Sequence, residues 1–262
     1  MGLRTLKQIA VLPLISAMLV ACGGDDDDDD TPRITAPDPV VEPQPQPQPE
    51  PQPQPSQVQL QISLTNLTAG QPQTPAAVIV HRSGYLAFDE GEAASVELED
   101  LAESGSPQAL LTAAGTNDAV LKTYAGPAVV APGGNRTFTM TIDGVSSTEG
   151  LYLTGLTMLA NTNDAFTGVN NVSLGNMAVG DSMRWNGPVW DAGTEANTET
   201  AATMPGPAAG GEGTNAARDD ILNKVTFHQG VITSDQGLAT SALNNSHRFD
   251  QPAVAIRVTR LQ

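Results

Sequence analysis

A chain of 262 residues has room for one ordinary domain and its tails, and an apolar content of 39% suffices to bury a core once polar tails are discounted. Twelve Lys and Arg face 29 Asp and Glu, a formal net charge of −17; this argues against a nucleic-acid partner, because phosphate neutralisation needs clustered cations. Nine of the acids precede Gln57, so the remainder carries 20 acids against nine bases, about −11, an excess that suits a divalent cation or a basic surface.

Met1 to Lys7 carries Arg4 and Lys7, and the apolar run Ile9 to Val20 that follows is too short to span a bilayer, so a secretion signal is expected. Its end, Leu19-Val20-Ala21-Cys22, resembles a bacterial lipoprotein signal. The resemblance implies removal of residues 1–21 and lipidation of Cys22, the only cysteine in the chain, which would otherwise be an odd leftover thiol in an exported protein. Acyl chains contribute ~0.8 kcal/mol per buried CH₂ and make such an anchor stable. Gly23 stands where aspartate would imply inner-membrane retention, so the expected location is the outer membrane, on either face. The alternative is a soluble secreted protein in which Cys22 is incidental to the signal.

Residues 22–56 form an expected unfolded tether. Asp25 to Asp30 is a self-repelling acidic block, and the Pro-Gln alternation from Pro43 to Pro55 removes ladder donors and favours extended polyproline. At ~3.1 Å per residue that alternation is a stalk of roughly 40 Å, and the whole tether reaches about 100 Å when extended. A proline-rich ligand for another domain is the functional alternative to a spacer.

Residues 57–262 are the expected folded domain. Val58, Leu60, Ile62 and Leu64 alternate with Gln57, Gln59, Gln61 and Ser63, the period of a strand with one dry face. Val78-Ile79-Val80 is a short apolar run ending in His81. Apolar residues at three- and four-residue steps predict a short helix at Leu98–Ala102, and Ser106-Pro107 with Gly115 predicts the start and stop of another. Strand patterns return at Phe138-Met140-Ile142, Leu151–Leu159, Val189-Trp190, Val225-Thr226-Phe227 and Val254–Val258. Thr203 to Ala217, rich in Gly, Pro and Ala, predicts a long loop. The expected fold is all-β, an antiparallel sandwich of two sheets with short helical inserts.

Oxygen-bearing side chains gather on two loop-like stretches, Asn163-Asp164-Ala165-Phe166 and Trp190-Asp191-Ala192-Gly193-Thr194-Glu195-Ala196-Asn197-Thr198-Glu199. Calcium takes six to eight oxygens, and Asp164, Asp191 and Glu195 offer carboxylates while Asn163 and backbone carbonyls offer the rest. The competing reading makes these acids solvated turn residues or caps, since turns contain Asp, Asn and Gly in any case.

The ordered succession Val80-His81-Arg82-Ser83-Gly84, Phe88-Asp89-Glu90-Gly91, Ala102-Glu103-Ser104-Gly105, Thr157 to Phe166 and Trp190 to Glu195 resembles the spondin N-terminal domain of F-spondin and mindin, over essentially residues 57–262. The resemblance implies a C2-like β-sandwich with calcium among loops at one end, Asp164 and Asp191 standing at family aspartates. Glu195 stands where animal members usually show aspartate. It also implies adhesive or ligand-binding roles, although the family's internal cysteines and the animal proteins' thrombospondin repeats are missing.

The expected function is therefore a non-enzymatic, lipid-anchored envelope protein with a calcium-binding domain that binds a surface protein or glycan. His81, His228 and His247 lie on separate segments without the close spacing of a zinc pair. Convergence of His81 and His228 on Asp191 would open the alternative, a metal-dependent envelope hydrolase. Ser83 and Ser104 lack a nucleophile-elbow pattern, and no phosphate-cradling glycine motif occurs.

Overall fold

A computed structural model of the chain describes residues 56–262. The signal, Cys22 and the tether up to Pro55 lie outside the described residues.

In chain order the elements are β1 (Gln57–Asn66), β2 (Ala77–His81), α1 (Val96–Ser104), α2 (Gln108–Ala114), β3 (Val120–Ala125), β4 (Asn135–Asp143), β5 (Tyr152–Met158), β6 (Ala165–Ser173), β7 (Ser182–Gly187), β8 (Val189–Asp191), β9 (Thr226–Phe227) and β10 (Val254–Arg260). They make two antiparallel sheets, ordered β4-β1-β10-β7 and β3-β2-β5-β6-β8-β9, which is the expected β-sandwich. Pro188 alone separates β7 from β8, and there the chain passes from the first sheet to the second. Among the described residues no helix is long and apolar enough to cross a membrane.

The alternation in β1 buries Val58, Leu60, Ile62 and Leu64 against Phe138, Met140 and Ile142 of β4, Val78 and Val80 of β2, and Val254, Ile256 and Val258 of β10. The six-stranded sheet is dry on its other face as well. There Ala77, Ile79, Leu156, Phe166 and Trp190 pack on Leu98, Leu101 and Ala102 of α1 and Leu110 and Leu111 of α2. Burial on both faces explains why β2 is an unbroken apolar run while β1 alternates.

Both helices form close to where the sequence places them. Ser95 accepts the Leu98 N–H as the cap of α1, and Gly105, with φ of 72°, ends it. The second helix starts one residue later than Ser106-Pro107 suggests, with Pro107 at the cap position and no side-chain bond there. β3 and β6 carry no clean alternation, since their half-buried and two-sided environments erase the period.

Ile62→Ala removes a fully buried side chain at the centre of the sandwich, and urea denaturation should show a loss of about 2–5 kcal/mol. Gln61→Ala, on the opposite face of the same strand, should stay within about 0.5 kcal/mol of the parent.

Candidate functional site

The turn between β5 and β6 is built by its own side chains. Thr162 Oγ1 donates to the Leu159 carbonyl at 2.6 Å and accepts the Ala165 N–H at 3.1 Å. Asn161 accepts the Ala208 N–H and donates to the Gly70 carbonyl, while Gln71 takes the Asn161 N–H and donates to its carbonyl. Asn161 to Asp164 are consequently all buried. Ala165 pairs with Asp191 across the β6–β8 ladder, and the Ala192 N–H reaches the Asp164 carbonyl, so Asp164 and Asp191 become neighbours although 27 residues apart in sequence.

The Asp-Ala-Gly-Thr-Glu run wraps the Asp164 carboxylate. Asp164 Oδ2 accepts from the Thr194 N–H (2.8 Å), the Thr194 hydroxyl (3.2 Å) and the Glu195 N–H (3.1 Å). Asp191 Oδ1 accepts the Gly193 N–H, and its Oδ2 accepts from the Asn197 amide at 2.6 Å. Gly193 is required: its φ is 68°, and a Cβ there would lie 2.3 Å from the Lys224 carbonyl oxygen. Asp164 Oδ1, fully buried, has no partner in the protein. Burial, then the neighbouring Asp191 charge, pushes the Asp164 carboxyl up to about 8, against the pull of its hydrogen bonds.

Glu195 contributes to this turn through its backbone and not its carboxylate. The side chain meets Asn163 and faces Glu103, and burial followed by the Glu103 charge raises it to about 7. Asn163 belongs to the same side, accepting the Glu199 N–H. The expected set of Asp164, Asp191 and Glu195 therefore divides, and among the described residues no three His, Cys, Asp or Glu side chains gather at metal-ligand spacing. The Glu195 carboxylate is held by Asn163 on the side of Glu103, while only its backbone N–H reaches Asp164. What remains is an enclosed anionic pair, Asp164 beside Asp191, with one unsatisfied carboxylate oxygen, Asp164 Oδ1. Its chemistry fits a hard cation, with Asp164 and Asp191 as the acids, provided that carbonyls or water supply the other ligands.

Two further acids carry unpaired oxygens. Glu103, on the inward face of α1 with Leu98, Leu101 and Ala102, holds the Asn215 N–H through Oε2 and leaves Oε1 free. An acid among helix positions of core spacing is the signal that identifies it. Glu199 uses Oε1 for the Ile232 N–H, leaves Oε2 unpaired and has a φ of 49°; in the sequence it closes the oxygen-rich stretch Trp190–Glu199 without being singled out as a ligand. Burial raises the pKa of both.

The histidines separate. His81 bonds the Arg82 carbonyl and the Thr154 hydroxyl and packs between Tyr85 and Tyr152, as a satisfied core histidine. It pairs with Tyr152, whereas Phe166, the neighbour of Ala165, pairs with Met158, six residues along β5, so His81 is offset from Asp191 by roughly 20 Å along the strands and by three strands across the sheet. The convergence of His81 with His228 on Asp191 does not occur. His228 alone comes near: burial lowers its pKa and the Asp191 charge opposes that shift. His228 Nδ1 accepts the Gly230 N–H at 2.9 Å, so Nε2 carries the ring hydrogen, and Nε2 has no partner. His247 caps a short 3₁₀ turn with Asn244.

A carboxyl that holds its proton more tightly when folded stabilises the chain at low pH and loses that contribution as pH rises from its unfolded to its folded value. For Asp164 that window runs from 3.8 to about 8. Metal-free protein should lose stability in denaturant between about pH 5 and pH 8, and Asp164→Asn should make the decline shallower, with Glu195 still titrating. Parallel curves for the two proteins would show that Asp164 is not the source.

Comparison with known proteins gives one family. The Spondin_N family model matches residues 73–209, more than half of the chain, and covers the two acids and the turns that hold them. The match is narrower than the stretch from 57 to 262, leaving β1 and β10 outside it. No curated protein matches the chain. The match runs through β5, β6, β8 and the Asp-Ala-Gly-Thr-Glu turn, the same elements that bury Asp164 beside Asp191, and the chain belongs to the Spondin_N family.

Proposed function

We propose that this chain is a lipid-anchored bacterial envelope protein whose spondin domain binds calcium beside Asp164 and Asp191 and uses the adjoining loops to bind a surface protein or glycan. The observation that carries the calcium reading is the fully buried Asp164 carboxylate, with Oδ1 unpaired and a second carboxylate alongside. A bound cation would neutralise the two acids. The residues themselves hold the Asp191–Glu195 turn against β6 and keep water from Asp164. The formal excess of acids favours a cation or a basic surface and disfavours nucleic acid.

The domain is proposed as a binding module. His81 is occupied in the core away from Asp191, which leaves a hydrolase reading with His228 alone. The anchor rests on Leu19-Val20-Ala21-Cys22, and outer-membrane placement on Gly23. The Pro-Gln stalk would carry the domain away from the lipid surface.

At a calcium concentration about 100 times the Kd, linkage gives ~2.7 kcal/mol of stabilisation, or a rise in Tm of roughly 5–10 °C for a domain of this size. Asp191→Asn should remove most of that rise and leave the Tm in EDTA little changed, read by scanning fluorimetry across a calcium titration. Equal calcium responses in mutant and parent would refute the site. Cys22→Ser should move the protein from the membrane to the soluble fraction or block its maturation; membrane-bound mutant protein would refute the anchor.

A further inference from the structure

A cavity of about 460 Å³ opens beside Asp191, between the strand pair β8–β9 and the segments that carry Glu199, His228 and Phe249. Its size falls within the range of small-molecule sites. Four large apolar side chains on its lining are exposed, Ile221 by 96%, Leu222 by 60%, Phe227 by 55% and Ile232 by 54%. They account for four of the ten large exposed hydrophobics of the domain, so the apolar surface is concentrated here. The Phe227 ring is held flat against Trp190, with centroids 4.3 Å apart and planes at 21°, which fixes it as a platform.

The polar part of the wall is specific. Glu199 and His228 line the cavity and are both buried, and each has one atom without a hydrogen-bond partner among the described residues, an acceptor at Glu199 Oε2 and a donor at His228 Nε2. Unpaired buried polar atoms are costly, and so is the positive φ of Glu199; both fit a site whose partner is a ligand. Acids also exceed bases around the cavity: Asp191, Glu199, Asp220 and Asp250 against Lys224 and Arg248.

We infer that this cavity binds a small organic amine, with its ammonium on Glu199, an acceptor oxygen on the His228 N–H and an apolar body across Phe227 and Ile232. A charged donor satisfies a buried carboxylate better than a neutral one does. The inference goes beyond the surface-protein or glycan reading above by assigning a small-molecule ligand to a separate cavity, and it does not require calcium.

The test is a fluorescence titration of the protein with dansylcadaverine, which joins a primary amine and sulfonyl oxygens to a naphthalene body, run in EDTA and again with calcium. N-acetyl-dansylcadaverine is the uncharged control. The amine should bind saturably and at least tenfold more tightly than the control. Glu199→Gln should weaken amine binding at least tenfold and leave the control unchanged, and Phe227→Ala should weaken both. Equal affinity for amine and control, absence of binding, or parental amine affinity in folded Glu199→Gln overturns the inference. Should Glu199→Gln fail to fold, the amine-to-control ratio of the parent and the loss in Phe227→Ala decide. Self-association through the apolar rim that excludes the probe also overturns it. Amine selectivity in EDTA with no calcium response in Tm would sustain this site and refute only the calcium reading.

Discussion

The constraint on which the loop end of this domain depends is the burial of the Asp164 carboxylate. Removing a carboxylate from water costs several kcal/mol unless donors replace the lost hydration. Three donors converge on Oδ2, all from Thr194 and Glu195, and none reaches Oδ1. The Asp191–Glu195 turn must therefore keep one conformation, and Gly193 is the residue that lets the backbone turn past Lys224. Half-satisfied beside Asp191, the acid is held by the fold in a state that favours a proton or a cation.

A polar lattice beneath that turn makes the arrangement rigid. Asn66 donates to the Gln71 and Val130 carbonyls and accepts from Thr68; Gln71 in turn binds Asn161 and the His247 carbonyl. The links from Asn66 to Val130 and from Gln71 to Asn161 and His247 join segments 64, 90 and 176 residues apart, so the loop end is set by cross-connections and not by local turns alone. The long segment after β8 has little regular structure, yet it is tied down by a small apolar cluster of Met204, Val231 and Leu243 and by Gly206, whose missing side chain lets it lie against the Ala160 carbonyl.

Around this frame the acids sort into separate environments. Asp164 lies beside Asp191 at the end of the β6–β8 ladder, where Asp191 pairs with Ala165, Glu195 and Glu103 form a second pair, and Glu199 lies on the wall of the cavity that begins at Asp191. A cation beside Asp191 would sit between the core of the sandwich and that cavity, so ion binding and ligand binding would share one residue. The apolar rim of Phe227 and Ile232 lies on the segment outside the family match, so the cavity is built partly from residues beyond that region.

The two-sheet sandwich was legible in the sequence because a strand with one wet face alternates, as β1 and β4 do, and because apolar spacing at Leu98–Ala102 and the Ser106-Pro107 and Gly115 signals mark short helices. The same reading placed Asp164 and Asp191 together, through the Asn-Asp turn and the Asp-Ala-Gly-Thr-Glu run. It grouped Glu195 with these two acids, whereas the folded chain turns that carboxylate toward Asn163 and Glu103, a direction that no local pattern encodes. Glu103 does leave a local signal, an acid among helix positions of core spacing, whereas the burial of Glu199 depends on a positive-φ bend that leaves none. Which residues bear carboxylates, and which strands bury them, followed from chemistry and period along the chain; which carboxylates face each other, and which oxygens stay unpaired, was decided by the packing of segments up to a hundred residues apart, because burial and mutual charge exist only once those segments meet.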